Sequence, residues 1–171
     1  MHRRKQDYFL IYQNTQKFFR QIRRFFCRAL AMGERAWYHE TMKITVFLAV
    51  IACRLCRRLL RLLGRGGTDF PGRVALKLCP KLLGVLSRGV TVILVTGTNG
   101  KTTTSRMIEQ TLIDAGKKYF ANKSGANLLS GVTAEFAMHS SVTGKCRYDY
   151  ALIESDEAAF KAITKFVDAK L

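Results

Sequence analysis

Proline is almost absent, 2 in 171 residues, and acidic residues are scarce, 12 against 29 Lys and Arg. So little proline beside 48% apolar residues excludes a collagenous, low-complexity or wholly disordered chain, and the length suits one domain plus an appendage. No long apolar run is present either. The run ITVFLAVIAC at 44–53 is stopped by Arg54, far short of the roughly 20 residues that span a hydrocarbon core. A second CxxC to accompany Cys53 and Cys56 is missing. The five cysteines, at 27, 53, 56, 79 and 146, have no regular spacing, which argues against a disulfide framework and favours a reducing compartment. The Cys53/Cys56 pair then reads as two small apolar helix residues rather than half of a zinc site.

What is abundant is positive charge, and its distribution is uneven. Residues 1–41 hold 9 Lys/Arg and 3 acids, residues 42–90 hold 10 and 1, and residues 91–171 hold 10 and 8. A basic front half joined to a nearly neutral back half predicts an anionic-surface anchor attached to a globular domain, the anion being a lipid headgroup or a nucleic acid.

Four segments follow from the pattern. Residues 1–41 form a basic extension in which Lys17, Arg20, Arg24 and Arg28 oppose Phe18, Phe19, Ile22, Phe25, Phe26 and Leu30 as a cationic amphipathic helix. Met42-Lys43 before an apolar run is a second candidate start, which would leave this extension outside the native protein. Residues 42–67 predict a leader helix with Arg54, Arg58, Arg61 and Arg65 on one stripe, Arg57 beside it, and Leu55, Leu59, Leu60, Leu62 and Leu63 on other faces. Such a helix lies in a membrane interface; the alternative is a helix packed on its own domain or on a partner. Residues 68–90 read as a linker segment: Gly64, Gly66, Gly67 and Pro71 mark the linker, after which residues 73–88 read as a helical or irregular stretch broken at Cys79-Pro80. From 91 onward strands at 91–96, 118–121 and 148–154 alternate with helices at 102–115, 130–139 and 157–167, predicting an α/β fold with a parallel sheet.

The strongest chemical signal is Gly97-Thr98-Asn99-Gly100-Lys101-Thr102-Thr103, between a buried strand and a helix. Glycines let backbone N–H groups close around phosphate oxygens, the helix start adds its dipole, Lys101 reaches the terminal phosphates and the Thr102 hydroxyl ligates magnesium. The loop departs from the general GxxxxGK[ST] spacing, since position 95 is Val. Glu154 ends the strand YDYALIE, and ligands of open parallel sheets gather beyond the carboxyl ends of strands, so it is the candidate magnesium carboxylate. Asp156 and Glu157 read as caps of the following helix.

GTNGKTTT after an apolar strand resembles the central ATPase domain of the Mur ligases and folylpolyglutamate synthases. LLGRGGTDFPGRVALKLCP, KSGANLLSG and LIESDEAAF extend the likeness, over residues 42–165, to the MurT family, the ligase subunits of lipid II isoglutaminyl synthase. Folylpolyglutamate synthases usually carry Gly-Ser where this chain has Thr102-Thr103, and other cell-wall ligases carry a nucleotide-sugar domain for which residues 42–90 are too few and too basic; both remain alternative readings. The resemblance implies part of a P-loop sheet preceded by basic helices, with ATP and Mg2+ held by Lys101, Thr102 and Glu154, and Ser124, Asn127 and Ser130 on the active-site face or serving as turn and cap residues. It implies ATP-dependent, ADP-forming amidation of the D-glutamate α-carboxylate of lipid II through an acyl phosphate, in peptidoglycan synthesis, with ammonia from the glutaminase GatD. The enzyme would be cytoplasmic and peripheral at the inner membrane surface. Such subunits continue well past the equivalent of Leu171, often with a four-cysteine zinc insert, so the chain is expected to be an amino-terminal part, inactive by itself. The competing class, a basic nucleic-acid-binding module using the loop as a switch, lacks any nucleic-acid-binding motif, and no nucleic acid is expected as a partner.

Overall fold

The computed structural model of the chain describes residues 34–64, 69–122, 126–167 and 169–170. The chain divides into two compact units, 1–42 and 43–171. Of the first, only the opening turns of helix α1, Glu34–Leu62, are described, and the amphipathic helix expected at 17–30 lies outside the described residues. The second unit continues with α2 (Asp69–Leu78), α3 (Leu82–Leu86), β1 (Thr91–Val95), α4 (Lys101–Asp114), β2 (Tyr119–Ala121), α5 (Leu129–His139), β3 (Tyr150–Glu154), α6 (Glu157–Thr164) and β4 (Ala169–Lys170). None of the described helices is long and apolar enough to cross a membrane.

The four strands run parallel in the order β2-β3-β1-β4. β3 and β1 sit at the centre, in a register that sets Val95 beside Glu154. Ala151, Leu152 and Ile153 are buried in succession, as a strand covered on both faces requires. Right-handed crossovers fix which helix covers which face. The β1-to-β2 step runs one way along the sheet and the β2-to-β3 and β3-to-β4 steps run the other, so α4 covers one face while α5 and α6 cover the opposite one. α2 and α3 pack on α5, making that second side two helical layers deep.

Most of the core lies on this thicker side: Val46, Ala49, Val50 and Cys53 from α1, Leu82, Leu83 and Leu86 from α3, Phe136 from α5, Ile153 from β3 and Ile163 from α6. Residues 68–90 are therefore no linker. Pro71 is buried inside the first turn of α2, where its missing N–H costs nothing, and Gly72 lets α2 approach α5 so closely that a Cβ there would collide with the Ser130 carbonyl. The break at Cys79-Pro80 falls between α2 and α3.

Two further expectations change. The last helix ends at Thr164, and Ala169–Lys170 adds a fourth strand beside β1; two residues are too few to show the alternation by which strands are recognised. The leader helix does not present all its arginines outward. Arg54 donates to the carbonyls of Ala137 and Ser140, and Arg57 Nη2 donates to Glu135 Oε1 at 2.9 Å, leaving Arg58 and Arg61 exposed; Arg65 lies outside the described residues.

Candidate functional site

The carboxyl ends of β1 and β3 lie side by side, so the loop leaving β1 and the last residue of β3 share one edge of the sheet. Ser155 N–H donates to the Val95 carbonyl at 3.0 Å and ties the two chain exits together. The loop then turns through backbone conformations that only glycine adopts without strain: Gly97 has φ +143° and Gly100, at the N-cap of α4, φ +78°. Gly100 accepts the first helical bond from Thr104 N–H at 2.9 Å. α4 carries no acid in its first turn, so its amino end keeps the full positive end of the helix dipole.

Lys101 Nζ donates to the Gly97 carbonyl at 2.6 Å, which holds the ammonium over the loop. Thr102 Oγ1 lies 3.4 Å from Glu154 Oε2, so residues 52 positions apart meet where the sequence expected a metal site. A hydroxyl and one carboxylate beside a phosphate cradle are the hard-oxygen donors that magnesium takes, since it draws its remaining ligands from phosphate and water. The residues therefore fit the ion. A cleft of about 240 Å³ opens beside them, lined by Thr102, Ser105, Arg106, Asn122 and Glu154 among others. In it the Ser105 Oγ is buried with no hydrogen-bond partner.

Glu154 is held by a residue that the sequence reading missed. Asn122 follows β2 directly. Its Nδ2 donates to the Glu154 carbonyl at 2.7 Å and to the Ala126 carbonyl at 3.0 Å, while its Oδ1 accepts from Glu154 N–H at 2.7 Å. This amide clamps the end of β3 to the start of the next loop. Its signal was available: a polar residue at the carboxyl end of a strand, on the edge where ligands gather.

The remaining expected residues separate. Ser124 lies outside the described residues. Asn127 has its Oδ1 buried without a partner. Ser130 is withdrawn from the edge, because its hydroxyl donates to Asp69 and ties α5 to α2. Asp156 occupies the N-cap position of α6 without a side-chain cap bond, and Glu157 is the acid of the first turn. Cys53 is buried and its thiol is pushed up to about 12 by that burial, the behaviour of an apolar core residue and not of a ready metal ligand. A larger cavity of about 530 Å³ lies around Lys118, Ser140, Arg147 and Tyr148 at the amino ends of the strands and contains none of the expected residues.

Residues 95–167 match the Mur ligase middle domain. Over 120 residues the chain is 37% identical to the lipid II isoglutaminyl synthase (glutamine-hydrolyzing) subunit MurT of Staphylococcus aureus strains COL and N315, covering 70% of this chain and 26% of each relative. Over 131 residues it is 35% identical to the subunit of the same name from Streptococcus pneumoniae strain ATCC BAA-255 / R6, covering 76% of this chain and 28% of that relative. The chain thus spans about a quarter of the length of the curated relatives it matches.

Proposed function

From the match of residues 95–167 to the Mur ligase middle domain, we propose that this chain is the nucleotide-binding part of an ATP-dependent amide ligase of the MurT kind. In that reaction a carboxylate oxygen attacks the γ-phosphorus of ATP and ADP leaves; ammonia then attacks the acyl phosphate carbon and inorganic phosphate leaves. The substrate is the D-glutamate α-carboxylate of lipid II and the product its D-isoglutamine form, made at the inner surface of an anionic membrane. The relatives' names, which include glutamine hydrolysis and the word subunit, support glutamine as the ammonia source and a partner chain; that this partner is the glutaminase GatD follows from the family resemblance.

The observation that carries this reading is the meeting of Thr102 with Glu154 beside the Lys101 loop. Each group has a role there. The loop N–H groups and the amino end of α4 bind phosphate oxygens, and Lys101 moves from the Gly97 carbonyl to the terminal phosphates, where charge builds during transfer. Thr102 and Glu154 would hold Mg2+. The ion would supply charge neutralisation between the phosphates. Asn122 fixes the strand end from which Glu154 projects, so that positioning, the larger share of catalysis in phosphoryl transfer, does not rest on a loose side chain.

The test is amidation of lipid II by the complete ligase with glutaminase, glutamine and ATP, read by mass spectrometry of the stem peptide. We expect Glu154→Ala to abolish amidation in a protein that stays folded. A folded complete ligase that hydrolyses ATP and never amidates lipid II would overturn the assignment.

A further inference from the structure

Helix α1 has two apolar faces, and the domain uses only one. Val46, Ala49, Val50 and Cys53 are at most 3% exposed, and the Arg54 and Arg57 bonds to α5 continue that face toward the end of the helix. On the opposite side Leu48, Ile51, Leu55, Leu59 and Leu62 are between 39% and 83% exposed. Their spacing sets them on one stripe at 100° per residue. Scattered surface leucines need no explanation, but a continuous stripe marks an interaction surface.

Charge identifies the occupant. No acidic residue occurs between Glu40 and Asp69, and the exposed Arg58 and Arg61 flank the stripe on one side. A second copy would oppose arginines to arginines with no acid to pair them. A nucleic acid would take the arginines and leave the leucines in water. An anionic lipid surface takes both, the leucines at the acyl boundary and the guanidinium groups at the phosphates.

We propose that α1 lies in the interface of an anionic bilayer through the Leu48–Leu62 stripe, with Arg58 and Arg61 at headgroup level and Arg54 and Arg57 locking the helix to the domain. This deepens, and rests on, the membrane location proposed above. It also orients the site. Arg57 meets Glu135 while Arg54 meets Ala137 and Ser140, so α1 runs antiparallel to α5. Because α5 starts just after the carboxyl end of β2, the Leu62 end of α1 points toward the edge that carries the phosphate loop. Ser130 bonded to Asp69 closes the chain at the same end. With α1 lying flat on this stripe, the nucleotide edge is set beyond the Leu62 end of the helix, at the side of the docked domain.

The test uses the full chain and vesicles of phosphatidylcholine with or without phosphatidylglycerol. The expected results are binding that needs phosphatidylglycerol and weakens with salt, at least a tenfold loss in Leu55→Asp/Leu59→Asp, and a loss of about fivefold per arginine in Arg58→Gln/Arg61→Gln. In a Trp37→Phe background, brominated lipid should quench a tryptophan at Leu59→Trp and not one at Met107→Trp, an exposed position on α4. If the unaltered chain ignores anionic vesicles, the membrane location itself fails. If the chain binds but Leu55→Asp/Leu59→Asp binds equally well, or if both tryptophans are quenched alike, the location stands and the face is wrong, attachment then passing through another segment such as residues 1–33. Lipid-free dimerisation that Leu55→Asp/Leu59→Asp abolishes would overturn the proposal in favour of a second copy.

Discussion

The nucleotide edge and the helical layer of α1, α2, α3 and α5 are built in opposite ways. At the edge, side chains stand at strand ends and at a helix start, where the backbone presents them: Lys101 and Thr102 follow directly from the glycine loop, Glu154 ends its strand and Asn122 follows directly from its own. In the helical layer the polar contacts are long-range and semi-buried, Arg57 with Glu135, Arg54 with the end of α5, and Asp69 with Ser130. The edge leaves its charged and hydroxyl groups at the mouth of a cleft open to solvent. In the layer, Arg54, Arg57 and Asp69 spend their charges on contacts within the domain, which attach α1 on one side while five leucine-type positions face outward on the other. The difference separates residues whose loss should cost function from those whose loss should cost the fold.

The largest expected effect is on the helical layer. Glu135 has only 4% of its side chain exposed, so Arg57→Ala leaves a buried carboxylate with only His139, at 3.9 Å, beside it and should lower stability by about 3 kcal/mol, seen as a drop in urea midpoint. Replacing both residues, Arg57→Met with Glu135→Leu, should recover most of it. Next is Gly72→Ala, which forces α2 away from the Ser130 carbonyl and should cost about 1–3 kcal/mol while leaving magnesium-dependent nucleotide binding intact in the folded fraction. Asn122→Ala crosses the division. Loss of its three hydrogen bonds should cost about 1–3 kcal/mol and also weaken nucleotide binding, more with magnesium present than absent; an effect on stability alone would show that the clamp does not position Glu154.

The smallest effects come from the solvent side and from pH. Arg58→Gln should leave stability within about 0.5 kcal/mol, in contrast with Arg57 one position earlier. Burial raises the Cys53 thiol from 9.0 to about 12, so the fold holds the neutral form. Stability from this group is complete below pH 9 and is lost progressively above it, as the unfolded thiol ionises and the folded one does not, at up to about 1.4 kcal/mol per pH unit. Cys53→Ala should flatten the pH dependence of the urea midpoint between pH 9 and 10; an unchanged slope would place the alkaline sensitivity elsewhere.

What could be read from the sequence follows the same division. The meeting of the loop 97–103 with Glu154 was legible because glycines between a strand and a helix form a local pattern, and because the end of a strand fixes where its last side chain emerges. Helix and strand positions from 91 to 164 were legible by alternation. The inward turn of Arg54 and Arg57 was not, since four arginines on one stripe look alike until α5 supplies carbonyls and Glu135 to two faces of that stripe. Nor was the role of Ser130, whose partner Asp69 lies 61 positions away. Residues 68–90 looked like a linker because glycines and proline usually punctuate chains; here Pro71 sits in a first helical turn and Gly72 in a close helix crossing.

The central claim is that the edge formed by Gly97–Thr103 and Glu154 is a magnesium-nucleotide site, and the most direct measurement is calorimetric titration of the folded chain with ATP, with and without Mg2+. Binding should require magnesium, be weakened at least about a hundredfold by Lys101→Ala and lose its magnesium dependence in Glu154→Ala, with circular dichroism unchanged in both variants. Equal affinity in Lys101→Ala, or magnesium dependence that survives Glu154→Ala, would contradict it.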